Sequence, residues 1–226
     1  MVDRRQRQIC IRDMALLTLI TASFNGVHAE QYFTKYFTGN DAFARKLRLY
    51  FDQNKVVGYC LITFSHFKQD VLIKASAAFY PEYRKGSNTF TFSIKQAFSY
   101  WLKHPKQNIY YADTMLSPAM YRAMAKKVAI VWPSLNRQQQ AKELFEQFNN
   151  QGQISELLNL RCLVDVGRRT NYSKQEVTSF RNSDKVEIDF YCQANPDFDK
   201  GNALFVIMPI TLKQLLLTAV KLVKSY

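Results

Sequence analysis

The sequence predicts an α/β (α+β) protein with one domain. Runs of small, β-branched and aromatic residues, which are typical of strands, alternate along the chain with amphipathic segments, which are typical of helices. With 226 residues, of which 47% are hydrophobic, the chain is long enough to bury a full core without disulfide bonds. The stretch at residues 71–101 combines a buried strand, a turn and the start of a helix.

The first part of the chain predicts one strand, two helices and two further strands. Asn25 and Gly26 separate the two helices, because asparagine and glycine commonly interrupt helical segments. The last two strands flank a polar turn at residues 52–55. In order, the expected elements are a strand at residues 8–13, helices at 14–24 and 30–37, and strands at 47–51 and 56–64.

The strand that follows, at residues 71–79, is expected to be central in its sheet. Its residues are small and apolar, among them Ala77, Ala78 and Phe79. Pro81 ends the strand, because proline has no N–H to donate to a neighbouring strand. The next helix has three candidate N-caps, namely Ser87, Asn88 and Thr89.

The turn between this strand and this helix predicts an anion site. Backbone N–H groups at a helix N-terminus lack intrahelical partners, and the cationic side chains of Arg84 and Lys85 lie beside them in the sequence. Gly86, one of seven glycines, permits a positive φ or the close approach of a ligand. We therefore expect a phosphate or similar anion to bind between Arg84 and Thr89.

The second half of the chain predicts helices, a loop and a closing hairpin. Pro118 suits the first turn of a helix, and the polar residues 168–185 are expected to form a loop with at most one helical turn. In order, the expected elements are a strand at residues 108–113, helices at 117–131, 137–150 and 153–160, a hairpin of strands at 186–193 and 203–208, and a helix at 212–223.

The last of these helices is strongly amphipathic. Its apolar face contains Leu215, Leu216, Leu222 and Val223. We expect this face to cover the sheet, and an alternative is that the helix lies on a membrane surface.

The net charge of +13 and the pI of about 9.6 favour an acidic partner. Candidates for such a partner are nucleic acid, an anionic membrane face, an acidic protein and coenzyme A. The basic residues are dispersed along the chain, and no specific nucleic-acid motif accompanies them. Pro209 and Lys213 interrupt the longest apolar run, so no transmembrane segment is expected.

Cysteine and histidine usage predicts neither a disulfide framework nor a metal site. The four cysteines lie in apolar, strand-like contexts without paired spacing, which favours reduced thiols and a cytoplasmic protein. The three histidines are isolated, and no cysteine and histidine spacing suits zinc.

The strand, the turn and the helix together resemble the acetyl-CoA loop of the GNAT superfamily of N-acetyltransferases. That loop follows a strand, precedes a helix and has the pattern Q/R-x-x-G-x-G/A. Arg84 stands at the Q/R position, whereas Ser87 and Thr89 stand where the family has glycines. The order of the preceding elements and the phrase V-V-G-Y at residues 56–59 are also similar to the family.

The resemblance implies a fold, a cofactor and a reaction. The implied fold has a mixed, mostly antiparallel central sheet with helices on both faces, a core at about residues 8–132, a long insertion at about 133–185 and a closing strand pair. The implied reaction transfers an acyl group from acetyl-CoA, or from another acyl-CoA, to the amine of a small molecule or protein.

The resemblance also implies roles for individual residues. Backbone groups of Ala77, Ala78 and Phe79 would orient the acyl carbonyl and the pantetheine arm, and Arg84 to Thr89 would hold the diphosphate. Tyr121 would protonate the departing thiolate, with Tyr110 and Tyr111 as alternatives. The family often has a glutamate in the strand before the loop, but this strand has no acidic residue between Val71 and Tyr80.

Two other functions remain open at this stage. The first is a GNAT-like fold without turnover that serves as a binding or interaction module through its basic surface. The second is a basic protein that binds a membrane surface or nucleic acid, in which the turn at Arg84 has no ligand.

Overall fold

The computed structural model describes residues 4–84, 89–136 and 141–224 of the chain. Helices and strands alternate through these residues. The strands are β1 (Phe24–Asn25), β2 (Ala44–Asp52), β3 (Lys55–Phe67), β4 (Asp70–Phe79), β5 (Ile109–Met115), β6 (Gln153–Ser155), β7 (Leu160–Asp165), β8 (Arg169–Thr170) and β9 (Asn202–Pro209). The helices are α1 (Arg4–Ser23), α2 (Ala29–Phe33), α3 (Thr89–Lys103), α4 (Pro118–Lys127), α5 (Lys142–Phe148), α6 (Lys174–Arg181), α7 (Val186–Ala194) and α8 (Leu212–Lys224).

Seven of the described strands form one mixed, mostly antiparallel sheet in the order β2-β3-β4-β5-β9-β7-β6. Neighbouring strands are antiparallel except β4 and β5, which are parallel. The connection between β4 and β5 contains α3, as expected because parallel neighbours need a crossover. The remaining two strands, β1 and β8, pair with each other in a separate antiparallel ribbon.

Helices cover both faces of the sheet, and β3 shows this directly. Its residues alternate between two cores, because successive side chains of a strand point to opposite faces. Tyr59 and Leu61 pack with α1 in one core, and Cys60 and Ile62 lie in the other, larger core together with Ala97 of α3. Burial on both faces explains why β3 is a nearly continuous apolar run.

The sequence predicted five strands of the main sheet at nearly their observed positions. The strands expected at residues 47–51, 56–64, 71–79, 108–113 and 203–208 correspond to β2, β3, β4, β5 and β9. The helices expected at residues 14–24, 30–37 and 212–223 are also confirmed, with a π-helical turn at Thr34–Thr38 continuing α2.

The strand expected at residues 8–13 was wrong, because these residues belong to α1. No glycine or proline lies between Arg4 and Phe24, so nothing stops the helix from extending toward the N-terminus. The long helix expected at residues 117–131 ends at Lys127 as α4. The helix expected at residues 137–150 corresponds to α5, and residues 137–140 lie outside the described part of the chain.

The closing hairpin was also wrong. Residues 186–193 form the helix α7, in which Ile188, Tyr191 and Ala194 are buried at a spacing of three. The alternation of apolar and polar residues at positions 186–193 fits a short strand as well as it fits a helix. Packing against α4 and α6 favours the helix. The strand β9 therefore pairs with β5 and β7.

Residues 133–185 were expected to form an inserted region of helices and loops, but part of this region belongs to the main sheet. The helix expected at residues 153–160 is replaced by β6 and a turn, and β6 and β7 join the main sheet. The loop expected at residues 168–185 contains β8 and α6. Ser173 and Glu176 begin α6 with a capping box, and the spacing S-x-x-E at residues 173–176 is the sequence signal for it.

Candidate functional site at the separation of two central strands

The parallel strands β4 and β5 separate from each other in the middle of the sheet. Within the described residues they pair at three positions, from Val71 with Ile109 to Ile73 with Tyr111. Beyond these positions β4 continues along β3 as far as Phe79, and β5 continues along β9. The space between the two diverging ends is called here the β4–β5 opening.

Every second residue of β4 directs its backbone toward this opening. The Tyr80 N–H donates to Val57 O at 3.2 Å, and the Val71 N–H donates to Asn108 O at 2.9 Å. Because backbone directions alternate along a strand, Ala75, Ala77 and Phe79 face the β5 side. Ala78 directs its backbone groups to β3, so the opening brings together the main chains of Ala77 and Phe79 but not that of Ala78.

The side chain of Asp113 lies at the start of the opening. Its Oδ2 accepts a hydrogen bond from the Ala75 N–H at 2.6 Å, in the place where a β5 carbonyl would continue the ladder. Its Oδ1 accepts from the Thr114 N–H at 2.8 Å. Burial raises the pKa of Asp113 to about 6, although these N–H donors and the charges of Lys74 and Arg168 oppose the shift.

Three hydroxyl groups meet beside the opening. The Ser76 Oγ lies 2.5 Å from the Tyr32 hydroxyl and 3.1 Å from the Tyr59 hydroxyl. Burial raises the pKa of both tyrosines, so these hydroxyls remain protonated and act as hydrogen-bond donors at neutral pH.

Arg168 places a cation next to these hydroxyls. Its guanidinium lies 5.3 to 5.6 Å from the ring centres of Phe24, Tyr32 and Tyr36, and it donates to the Tyr36 hydroxyl at 3.1 Å. The Nε of Arg168 is buried and has no hydrogen-bond partner among the described residues. The positive charge of Arg168 also favours the ionised form of Asp113 and so opposes the rise of its pKa.

Residues 168–172, called here the bridging segment, span the wide end of the opening. On the β4 side, the Asn171 N–H donates to Ser23 O at 3.2 Å, and the Ser23 hydroxyl donates to Phe79 O at 3.2 Å. On the β5 side, the Tyr172 hydroxyl donates to the Ser117 hydroxyl at 2.7 Å. The chain therefore closes its own opening in this structure.

Arg84 contacts the same segment. It follows the short 3₁₀ turn that ends β4, donates to Asn171 O at 3.2 Å and lies 3.9 Å from the Glu176 carboxylate. Its Nη2 is buried without a hydrogen-bond partner in the described part of the chain. Thr89 begins α3, whereas Lys85, Gly86, Ser87 and Asn88 of the expected anion site lie outside the described residues.

Tyr121 lies in the core and not at an exposed surface. Its side chain is almost fully buried, its hydroxyl donates to Pro133 O at 2.8 Å, and its ring stacks on Phe190. Burial raises the pKa of this hydroxyl. Of the two alternatives, Tyr111 is buried and donates to Asp113 at 3.4 Å, and Tyr110 packs against Phe148.

The described residues give little support for a metal site, a membrane-spanning helix or a reactive thiol. They contain no group of three side chains able to hold a metal ion and no helix long and apolar enough to cross a bilayer. Cys60 and Cys162 are buried free thiols, and burial raises their pKa to about 11 and about 12. A surface depression of about 470 Å³ lies beside β8 and α6 and includes Tyr172 in its wall.

Comparisons with protein-family models, with curated proteins and with solved structures found no match to this chain.

Sequence reasoning missed most of the groups that line the opening. The sequence predicts Asp113 only as the last residue of the strand at residues 108–113, although a single carboxylate in the mostly apolar stretch NIYYADTM is a signal of a special environment. Ser76 carried a weaker signal, as a polar residue within a small, apolar strand. No sequence signal identified Arg168, because the path of the bridging segment depends on the pairing of β8 with β1.

Proposed function

We propose that the chain is a GNAT-type N-acyltransferase that uses acetyl-CoA or another acyl-CoA. The observation that carries this proposal is the β4–β5 opening, which directly precedes Arg84 and the turn into α3. A parallel pair that separates in this way leaves backbone donors and acceptors for an extended ligand. The acceptor would be the amine of a small molecule or of a protein.

The pantetheine arm would lie along β4, in the space that β5 would fill if the two strands stayed paired. Its amides would pair with the backbone groups of Ala77 and Phe79, as an added strand does. The diphosphate would lie at the N-terminal end of α3, where helix N–H groups and Arg84 attract negative charge. The buried Nη2 of Arg84 supports this role, since a buried guanidinium nitrogen is costly without an acceptor and the described residues provide none.

In the proposed reaction, the amine nitrogen attacks the thioester carbon, a C–N bond forms and the C–S bond breaks. The amine loses a proton, and the departing thiolate gains one. Asp113 is the candidate proton acceptor, because a carboxyl with a pKa of about 6 is mostly ionised at pH 7 and still basic enough to take a proton. Tyr121 remains the proposed thiolate acid, and that role requires its contact with Pro133 O to open.

The bridging segment favours a second candidate function. It joins Ser23 on the β4 side to Ser117 on the β5 side and occupies Arg84 through Asn171. An acyl-CoA enters only if this segment moves. If it stays in place, the chain is a GNAT-like binding or interaction module without turnover.

Calorimetric titration of the full chain with acetyl-CoA tests the first proposal. We expect saturable binding that Arg84→Glu weakens by at least about tenfold, since the change reverses a charge beside the diphosphate. Lys103→Glu is the matched control, because it makes the same charge change about 20 Å away at the other end of α3. Unchanged affinity in Arg84→Glu would contradict the site.

Release of free thiol over a panel of amines separates the two candidate functions. An enzyme releases coenzyme A only when both acetyl-CoA and an accepted amine are present. Binding of acetyl-CoA without thiol release for any amine favours the interaction module.

A further inference from the structure

The helix α8 docks on the protein through its polar side. Three residues at a helical spacing, Gln214, Thr218 and Lys221, face residues 125–130 at the end of α4. The Gln214 side chain accepts from the Ile130 N–H at 3.0 Å and donates to Ile130 O at 2.7 Å. Gln214 is 1% exposed, so this polar contact forms the centre of the interface.

Lys221 completes this contact at the C-terminus of α4. Its Nζ donates to Ala125 O at 2.7 Å and to Val128 O at 2.9 Å. A cation is favourable there, because the last carbonyls of a helix lack intrahelical partners and carry partial negative charge. Gln214, Thr218 and Lys221 of α8 are therefore all bonded to residues at the end of α4.

The apolar side of α8 faces outward as a result. Leu212, Leu216, Val220 and Val223 follow one another at spacings of four, four and three residues, which places them on one side of the helix. Each is more than half exposed, and Val223 reaches 77%. We call these four residues the α8 stripe.

This arrangement reverses the expectation from the sequence. The apolar side was expected to cover the sheet, but Leu216 and Val223 are 58% and 77% exposed. Contiguous exposed apolar surface of this kind is unusual on a monomeric protein and indicates a binding surface.

The charges around the stripe point to an anionic occupant. The two segments that form this face, residues 118–136 and 212–224, contain no acidic residue and six basic ones, which are Arg122, Lys126, Lys127, Lys213, Lys221 and Lys224. Glu187 of the neighbouring helix α7 pairs with Arg122 at 3.6 Å, so basic residues still outnumber this carboxylate by five. A second copy of the chain would carry the same charges and the same total of +13. Like charges oppose such pairing, whereas an anionic surface attracts them.

We propose that α8 binds the chain to an anionic membrane surface, with the α8 stripe inserted among the lipids. The helix would lie in the plane of the interface, as amphipathic helices with a wide apolar side do. Lys213 would contact acidic headgroups, whereas Lys221 remains bonded to the carbonyls at the end of α4. The inference does not depend on acyl transfer, since α8 contributes no residue to the β4–β5 opening.

Flotation of the full chain with lipid vesicles tests this proposal. We expect it to float with phosphatidylcholine vesicles containing about 30% phosphatidylserine and to bind pure phosphatidylcholine at least about tenfold more weakly. Raising the salt from about 50 mM to about 500 mM should reduce binding, because the electrostatic part is screened. Failure to float with the acidic vesicles would overturn the proposal.

Matched charge variants separate insertion from simple attraction. Leu216→Glu with Val223→Glu should reduce vesicle binding at least about tenfold, because the apolar stripe is lost. Phe51→Glu with Leu102→Glu makes the same charge change at two other exposed apolar positions and should alter binding less than about twofold. Equal losses in both pairs would overturn insertion by the stripe.

Two further measurements exclude a poorly folded variant and a different occupant. Val220→Trp should show a blue-shifted emission on acidic vesicles and Phe51→Trp should not, and the absence of a shift at position 220 would contradict insertion.

Light scattering should give the mass of a monomer for the wild type. A dimer that Leu216→Glu with Val223→Glu converts to a monomer would show that a second copy covers the stripe, and it would overturn the membrane proposal.

Discussion

Asp113 replaces a backbone acceptor at the point where β4 and β5 separate. Its two oxygens accept from the Ala75 and Thr114 N–H groups, so the carboxylate continues the hydrogen bonding of β4 after the β5 backbone has left. A carboxylate is costly in such a place, which is why its pKa rises to about 6. The same residue therefore marks the opening and supplies a group able to take a proton near neutral pH.

The pH dependence of stability tests the environment of Asp113. Its pKa is about 6 in the folded chain, above the ordinary value of 3.8. Between these values the folded state holds a proton that the unfolded state has released, so the contribution of Asp113 to stability falls as the pH rises. We expect the free energy of unfolding of Asp113→Asn, relative to wild type, to increase by roughly 2 kcal/mol between pH ~4 and pH ~7.

Urea unfolding followed by tryptophan fluorescence at both pH values provides the measurement. Asp184→Asn, which changes an exposed carboxylate, is the matched control. A relative stability of Asp113→Asn that does not change with pH would mean that the carboxyl is not buried at the opening.

Tyr121→Phe separates a structural from a chemical role for the buried hydroxyl. The variant loses the hydrogen bond to Pro133 O, and we expect the free energy of unfolding to fall by about 1 kcal/mol. A strong decrease in thiol release would be added only if this hydroxyl protonates the thiolate. Chemical denaturation and a thiol assay on the same preparation distinguish the two effects.

At the scale of elements, the sequence predicted best where a strand is buried on both faces. The apolar runs of β3 and β4 leave few alternatives, and both strands appear within a few residues of their expected bounds. Residues 8–13 and 186–193 were assigned to the wrong element because a short apolar run fits both periods, and packing decides between them. The same limit applies to β6 and β8, which are two or three residues long and exist through their pairing partners.

The close contact of β3 with β4 at Gly58 gives an element-scale prediction. Gly58 lies opposite Phe79, and a Cβ at this position would overlap the Phe79 ring. We expect Gly58→Ala to lower the free energy of unfolding by about 1 to 3 kcal/mol, because a packed core does not yield easily. The cost should be smaller in a Phe79→Ala background, and equal costs in both backgrounds would rule out the clash.

The capping box of α6 gives a second element-scale prediction. The Ser173 hydroxyl accepts from the Glu176 N–H at 3.2 Å, so Ser173→Ala should lower the free energy of unfolding by about 1 kcal/mol. Ser179→Ala, at an exposed position inside the same helix, should leave stability unchanged or slightly raise it. Thermal unfolding of both variants would check this, and equal effects would contradict the cap.

At the scale of the whole molecule, the order and pairing of the strands determine the candidate site more than any local sequence motif does. The sequence indicated the strand, the turn with Arg84 and the helix, but not the separation of β4 from β5, because pairing depends on distant segments. The bridging segment was assigned to a loop, and its position across the opening follows from contacts with Ser23 and Ser117, far away in the sequence. Whether the opening accepts a cofactor thus depends on a segment whose path local patterns do not predict.

A crystal structure of the chain grown with coenzyme A tests the central claim most directly. We expect the pantetheine arm between β4 and β5 beside Ala77 and Phe79, the diphosphate next to Arg84, and the bridging segment displaced from Asn171 onward. A structure in which residues 168–172 still join Ser23 to Ser117, with the coenzyme absent or bound elsewhere, would contradict it.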